Sequence, residues 1–428
     1  MIGIEVVRQD PGLVKANIKR KFQLEKVKIV DKILEKDEAW RKLKGQADAL
    51  RADRNKVSKE ISEAKKNKKD VKVLLKKAKE IPEKIAGLES KAGKLQDEIQ
   101  EMLVSIPNLL HKDVPAGKND KDNKVREVIG KPPAIEKPKT HIELGEMNGW
   151  LDFQASSEIS GNGFYVLKGD LALLNQALIS YARDFMVKKG YEYVEPPLMI
   201  RSDVLKGVYT KAEIETMSYK IDGEDLYLIA TSEHPMIGMF IGKMMNHTQL
   251  PVKQTAYSMC FRREIGSHGI NEKGLWRTHQ FNKQEMIVLC HPDDSWKYYE
   301  ELLKLSKELF KSLEVPIREN ESCAGDLSDL KARGSDLEIW RPVEKIYQEI
   351  TSVTNMTDAQ ARLLGIKFVD KDNEKKFVHT LNNTAIATSR ALVGIMENLQ
   401  QKDGSVKIPK VLQQYMQGKK VIGGAGKK

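Results

Sequence analysis

From position 71 two seven-residue ladders of apolar side chains run in step along the chain. Val71, Ala78, Ile85, Ala92 and Ile99 form one, and Leu74, Ile81, Leu88, Leu95 and Met102 form the other. Apolar residues held in the a and d positions over successive heptads predict a coiled-coil helix. The preceding stretch repeats the pattern, with Trp40, Ala47, Arg54 and Ile61 interleaved with Leu43, Leu50, Val57 and Ala64, and only Arg54 breaks it. Between the ladders, Lys65-Lys-Asn-Lys-Lys-Asp70 is too polar to continue the seam. Two antiparallel helices joined by a turn at that point are therefore expected, an arm on the order of 50 Å long at about 1.5 Å rise per residue. One continuous helix in a dimeric coiled coil is the other reading, but the matched lengths on either side of residue 68 favour the hairpin. Pro82 sits beside a seam position and is expected to kink the second helix.

The pattern changes after residue 110. Residues 111–140 carry prolines and charge runs and are expected to be a linker between an N-terminal part, 1–110 with its arm at 26–105, and a second domain at 141–415. In that domain Asp170–Lys188 reads as an amphipathic helix, Tyr191–Val194 and Asp225–Ile229 as short strands, and Gln254–Arg262 and Asn282–Val288 as neighbouring strands joined by a long loop. The fold class is α+β, an antiparallel sheet flanked by helices beside a helical arm. The Gly- and Lys-rich tail, 416–428, is expected to be disordered.

Charge sharpens this picture. The 428 residues hold 72 Lys and Arg against 61 Asp and Glu, a net charge of +11, which favours a polyanionic partner. The excess concentrates at the arm's far end, where residues 51–80 contain 12 basic and 5 acidic side chains. Lysines placed on phosphates give salt-sensitive, largely sequence-independent attraction. A solvated coiled-coil surface would carry the same charges. The three cysteines are scattered with no CxxC pair, so neither a zinc site nor a disulfide framework is expected. No apolar run is long enough to span a membrane, and the N-terminus carries charges where a signal peptide needs an apolar stretch, so the cytoplasm is the expected location.

The chain has no GxxxxGK loop, no GxGxxG after a strand, no HExxH and no GxSxG. If it binds a nucleotide, it must use arginines on a sheet surface. Three segments suit that. Phe261-Arg262-Arg263-Glu264, with Trp276–Glu285 beyond a loop, places Arg262 and Glu264, and Phe281 and Glu285, on shared strand faces. An arginine fork suits phosphate or carboxylate oxygens. Glu349-Ile350-Thr351-Ser352 offers a carboxylate and a hydroxyl for one Mg²⁺ ion. His379–Arg390 puts small polar groups before a helix whose start carries Arg390, an anion-attracting terminus. Each has a plainer reading taken singly: a surface ion-pair ladder, a helix cap, a solvent-facing arginine.

Their order along one chain resembles the seryl-tRNA synthetases, class II aminoacyl-tRNA synthetases, over essentially the whole length. Arg8-Gln-Asp-Pro-Gly-Leu-Val-Lys15 is similar to the family's opening segment, and the hairpin to its tRNA-binding arm. Ile106–Pro115 is similar to the hinge that follows the arm. Gly190–Pro197 resembles motif 1, Cys260–Glu264 with Arg277–Phe281 resembles motif 2, and Thr380–Gln400 resembles motif 3. Leu228–Glu233 is similar to the serine-binding segment. Degeneration to a dead RNA-binding module should have removed Arg262, Glu349 or Arg390, and paralogues that load a carrier protein lack the long arm.

The resemblance implies a serine–tRNA ligase that forms seryl-adenylate from L-serine and ATP and passes the seryl group to tRNA(Ser), with tRNA(Sec) a further candidate. It implies a homodimer built through motif 1 and Mg²⁺ bound with ATP. By the same resemblance Thr231, Glu233, Arg262, Glu285, Asn382 and Thr384 would bind serine. Arg262, Glu264, Arg277, Thr278, Phe281, Glu349, Ile350, Thr351, Ser352 and Arg390 would bind ATP. Glu349 and Ser352 would ligate the metal, and Arg262 and Arg390 would be catalytic. Arg333 and Ser335 stand where the family often has lysine and tyrosine, and Ile270-Asn-Glu-Lys273 in the motif 2 loop also departs from its pattern.

Overall fold

The computed structural model describes residues 2–265 and 274–424, and the unusual Ile270–Lys273 segment lies outside them. The chain divides into two compact units, Met1–Leu109 and Leu110–Lys428.

The first unit opens with helices α1 (Ile4–Gln9) and α2 (Pro11–Arg20), followed by the arm helices α3 (Val27–Lys66) and α4 (Lys72–Ser105). The heptad residues make the seam. Val57, Ile81 and Ile85 are buried against Leu50, Ile61 and Ala78, while Arg54 turns out to solvent. The turn is closed by backbone. Lys68 takes the left-handed conformation (φ 55°), the Lys69 N–H reaches back to the Ala64 carbonyl at 2.9 Å, and the Lys68 N–H to Lys65 at 3.2 Å. This paired bonding ends a helix on a left-handed residue and satisfies its last carbonyls. Helix α4 runs through Pro82 as one element. Where α3 passes the first two helices, the buried Asp37 carboxylate is held by Arg8 at 2.8 Å and Arg41 at 3.0 Å. Arg8 holds it well below the usual carboxylate range.

The second unit is built on an eight-stranded sheet. Its strands are β1 (Lys124–Ile129), β2 (Glu192–Tyr193), β3 (Val252–Phe261), β4 (Gln280–Cys290), β5 (Ile317–Glu321), β6 (Arg333–Arg341), β7 (Ile346–Asn355) and β8 (His379–Ala387), in the order β1-β5-β6-β7-β8-β4-β3-β2. Every neighbouring pair is antiparallel except β2 with β3. Four of its helices matter here: α5 (His141–Met147), α6 (Gly169–Lys188), α7 (Ser295–Ser312) and α8 (Thr388–Leu399). The last three cover one face, where Leu174, Leu178, Tyr299, Phe310, Leu392 and Met396 pack on Met286, Val288, Leu337, Ile339 and Leu381 from the strands. On β4 the other face also closes over from Ile287 onward, so Met286–Cys290 reads as an unbroken apolar run rather than an alternating one.

Two segments carry more structure than their composition suggests. The linker is not free of structure, because Lys124–Ile129 pairs with Ile317–Glu321 as an edge strand, and Val114 packs on Ala324 and Leu327. Nor does order end at Met416. Val421–Ile422 pairs with Val406–Lys407, and Met416 and Ile422 are buried in the main core. Glycine and lysine describe that tail's composition, but its few apolar residues decide where it goes.

Candidate active site

The uncovered part of the sheet is the floor of a two-lobed cleft. Alternation on β4 aims Phe281, Lys283 and Glu285 at it, while Met286 and Val288 face the helices. On neighbouring β8, Thr384 lies directly across from Glu285, with Asn382 two residues before it on the same face. After Thr384 a bulge inserts Ala385 and shifts the register, so that Ala387 pairs with Lys283 and joins the cleft wall just ahead of Ser389 and Arg390 on α8.

A second bulge is decisive for the Glu349–Ser352 motif. Residues three apart on a regular strand point to opposite faces. On β7 Glu349 pairs with Glu338 and Thr351 with Leu337, leaving Ile350 as an extra residue. The inserted residue brings Glu349 and Ser352 to the same side, and both line the larger lobe. Thr351 turns inward instead. Its hydroxyl is buried without a hydrogen-bond partner among the described residues.

Arg262 and Glu264 meet in the cleft by a route other than strand alternation. Strand β3 ends at Phe261, and Glu264 has φ 51°, in the left-handed region. The backbone beyond the strand is pinned by the Arg262 N–H to the His279 carbonyl at 2.9 Å and the Arg263 N–H to Met217 at 3.0 Å. The Arg262 guanidinium lies 5.2 Å from the Phe281 ring and donates to the Ala230 carbonyl at 3.3 Å. Glu264 accepts from Arg277 at 2.7 Å. Arg390 donates to the Glu349 carbonyl at 2.9 Å, its guanidinium 3.6 Å from the Glu349 carboxylate.

Of the fifteen candidate residues, all but Thr351 line the two lobes. The smaller lobe, about 300 Å³, gathers Arg262, Glu264, Arg277, Thr278, Phe281, Glu349, Ile350, Thr384 and Arg390. The larger, about 550 Å³, gathers Thr231, Glu233, Glu285, Asn382 and Ser352, and shares Arg262, Lys283, Glu349 and Thr384 with the first. One end is thus rich in arginine, the other in carboxylates, and Arg262 and Lys283 stand at the join.

At the acidic end Glu285 is buried and accepts from the Thr384 hydroxyl at 3.2 Å and the Thr231 hydroxyl at 3.5 Å, while Lys283 forms an ion pair with it. Thr231 in turn accepts the Glu233 N–H at 3.2 Å, and Gln360 donates to the Glu233 carboxylate at 3.3 Å. Burial, and then the negative charge of Glu285, raise the Glu233 carboxyl above its ordinary range. Burial and the cations Lys283 and Arg262 push His234 down to about 3, so its ring is neutral. Burial and Glu349 push Asp336 up to about 7.

The sequence reading missed Lys283, Gln360, Asp336 and Trp276. Lys283 was within reach of it, since it shares a strand face with Phe281 and Glu285. Gln360 had no local signal, because it meets Glu233 from 127 positions away.

Comparison with known proteins gives the family. Residues 1–110 match the seryl-tRNA synthetase N-terminal domain, and residues 216–399 the tRNA synthetase class II core domain (G, H, P, S and T). A serine–tRNA ligase of Methanoregula boonei is 44% identical over 425 residues, 99% of this chain and 100% of that one. A crystal structure of seryl-tRNA synthetase from Pyrococcus horikoshii complexed with ATP superposes with a TM-score of 0.94 at 39% identity, covering 100% of both chains. The cytoplasmic serine–tRNA ligase from Naegleria fowleri in complex with AMP gives 0.89 at 32%, covering 100% of this chain and 99% of that one. With both its domains and its full length matched, the chain belongs to the seryl-tRNA synthetase family of class II aminoacyl-tRNA ligases.

Proposed function

We propose that the cleft activates L-serine with ATP and hands the seryl group to tRNA(Ser), and that the observation carrying this is the junction of an arginine-lined lobe with a carboxylate-lined one at Arg262. A triphosphate suits the first lobe and an amino acid's ammonium the second. Their reacting ends, the α-phosphate and the serine carboxylate, would then meet beside one guanidinium. Arg262 neutralises charge on both, while Arg277 and Arg390 hold the outer phosphates. Phe281 offers a ring face to adenine, with Glu264 and Thr278 at its edge. Glu233 takes the serine ammonium, and Glu285, with Thr231, Asn382 and Thr384 around it, takes the serine hydroxyl.

The serine carboxylate is ionised at neutral pH and needs no general base to attack phosphorus. Rate then comes from alignment and from preorganised positive charge. Alanine, lacking the hydroxyl, would leave Glu285 and Thr384 without their partner in a buried site, which is a strong basis for rejecting it.

Glu349 and Ser352, turned to one side by the bulge, would hold a Mg²⁺ ion, a cation that takes oxygen ligands. Such an ion supplies charge neutralisation on the phosphates. Among the described residues no group of three or more His, Cys, Asp or Glu side chains is arranged for a metal.

The basic arm tip would bind tRNA. Exposed apolar residues on α6 and after β2, Leu173, Val187, Leu198 and Met199, support a homodimer through the motif 1 region. The cytoplasm, where charged tRNA is consumed, is the proposed location. Among the described residues no helix is long and apolar enough to cross a membrane. Arg262→Ala should abolish serine-dependent ATP–pyrophosphate exchange while the circular dichroism spectrum stays unchanged. Normal exchange in that variant would refute the assignment.

A further inference from the structure

Behind the arginine lobe, outside the cleft, lies a buried polar cluster centred on Glu397. This carboxylate is fully enclosed and sits in the last turn of α8, where negative charge opposes the helix dipole. Four N–H groups converge on it. Arg341 donates from Nε at 2.6 Å and from Nη2 at 2.9 Å, and His141 donates from Nδ1 at 2.8 Å and from its backbone N–H at 3.1 Å. The bidentate fork fixes the plane of the Arg341 guanidinium.

Two routes lead from this carboxylate to the cleft. Along one, the Arg341 guanidinium lies 4.8 Å from the Trp276 ring, and the Arg390 guanidinium lies 5.5 Å from the same ring. Trp276 itself lines the arginine lobe. Along the other, His141 Nε2 accepts the Leu275 N–H at 3.2 Å, two residues before Arg277. Because Nε2 is the acceptor there, the ring proton is on Nδ1, where Glu397 holds it. The contact leaves little room for a side chain at the preceding residue, whose backbone conformation side chains rarely adopt. Gly274 has φ 146°, and an added Cβ would stand 3.1 Å from His141 Nε2.

We infer that Glu397 is a positioning residue that sets both phosphate-holding arginines at once, Arg390 through Arg341 and Trp276, and Arg277 through His141 and Leu275. The inference rests on the assignment of Arg277 and Arg390 to the outer phosphates of ATP. A merely structural carboxylate would affect every ligand of the cleft alike, whereas a positioning role confines the effect to the β- and γ-phosphates. AMP lacks both and is the natural control.

The test measures ATP and AMP binding to the full chain by titration calorimetry for Glu397→Gln, which keeps shape and removes charge, and for Arg341→Lys, which keeps charge and removes the fork and the stacked plane. Both variants should bind ATP about tenfold more weakly, the equivalent of ~1.4 kcal/mol, with AMP binding unchanged. Equal losses for ATP and AMP, or no loss for ATP in a folded variant, would overturn the inference. Should Glu397→Gln fail to fold by thermal melting, Arg341→Lys decides the matter. Arg390→Ala, run in parallel, separates the two layers of argument. If it weakens ATP selectively while the other variants do not, the positioning role is wrong and the phosphate assignment stands. If it leaves ATP binding intact, the phosphate assignment itself is wrong.

Discussion

Replacing Glu233 by Gln removes one negative charge from the acidic lobe and almost no volume. The parent carboxyl is costly to keep ionised, because it is buried and because Glu285 stands beside it. Lys283 and the hydrogen bonds from Gln360 and Asn382 offset only part of that. A bound ammonium completes the compensation, and a hydrogen bond to a charged group contributes about 1.5–3 kcal/mol. At ~1.4 kcal/mol per factor of ten, Glu233→Gln should raise the KM for serine about 10- to 150-fold. The KM for ATP, read in the same pyrophosphate-exchange assay, should stay unchanged. The sign of the pH effect follows from the raised carboxyl. As pH falls, Glu233 takes up a proton earlier than an ordinary carboxyl would, so serine binding by the parent weakens from a correspondingly higher pH, and the variant lacks that dependence. Stability moves the other way. A group whose folded-state value is raised favours the folded form below its unfolded value, and that contribution is lost as pH rises through the folded one. At neutral pH the variant should therefore melt at the same temperature as the parent or above it. An unchanged KM for serine, or equal rises for serine and ATP, would refute the reasoning.

Further outcomes test other parts of the molecule. Replacing Lys65, Lys66, Lys68 and Lys69, all exposed at the arm's turn, by Ala should raise the KM for tRNA in aminoacylation and lower the salt slope by about one for each phosphate no longer neutralised. Pyrophosphate exchange should be unaffected, and unchanged tRNA charging would rule out the arm tip as an RNA-binding surface. Gly394→Ala on α8 would set a methyl 2.0 Å from Ile339 Cδ1, a fully buried atom group. Overpacking of about 1–3 kcal/mol outweighs the better helix propensity of alanine, so the melting temperature should fall by about 2–5 °C, and no fall would mean a looser core there.

The sequence alone determined what depends on short-range periodicity. Heptads are read within one helix, so the two arm helices and the turn between them were legible, and the face of β4 that carries Phe281 and Glu285 followed from a period of two. The motif residues were visible because their chemistry is local to each segment. What the tertiary structure decided is how these pieces are phased and closed. The bulge at Ile350 brings Glu349 and Ser352 to one side and turns Thr351 inward, and nothing in that segment's composition announces an inserted residue. Glu264 reaches the cleft from a left-handed conformation held by contacts made elsewhere. Lys124–Ile129 becomes a strand only because Ile317–Glu321, far along the chain, pairs with it. Glu397 and His141 meet across 256 positions. Hydrogen bonds and buried charge pairs depend on distance in space, and a local pattern along the chain carries no record of which distant partner will satisfy them.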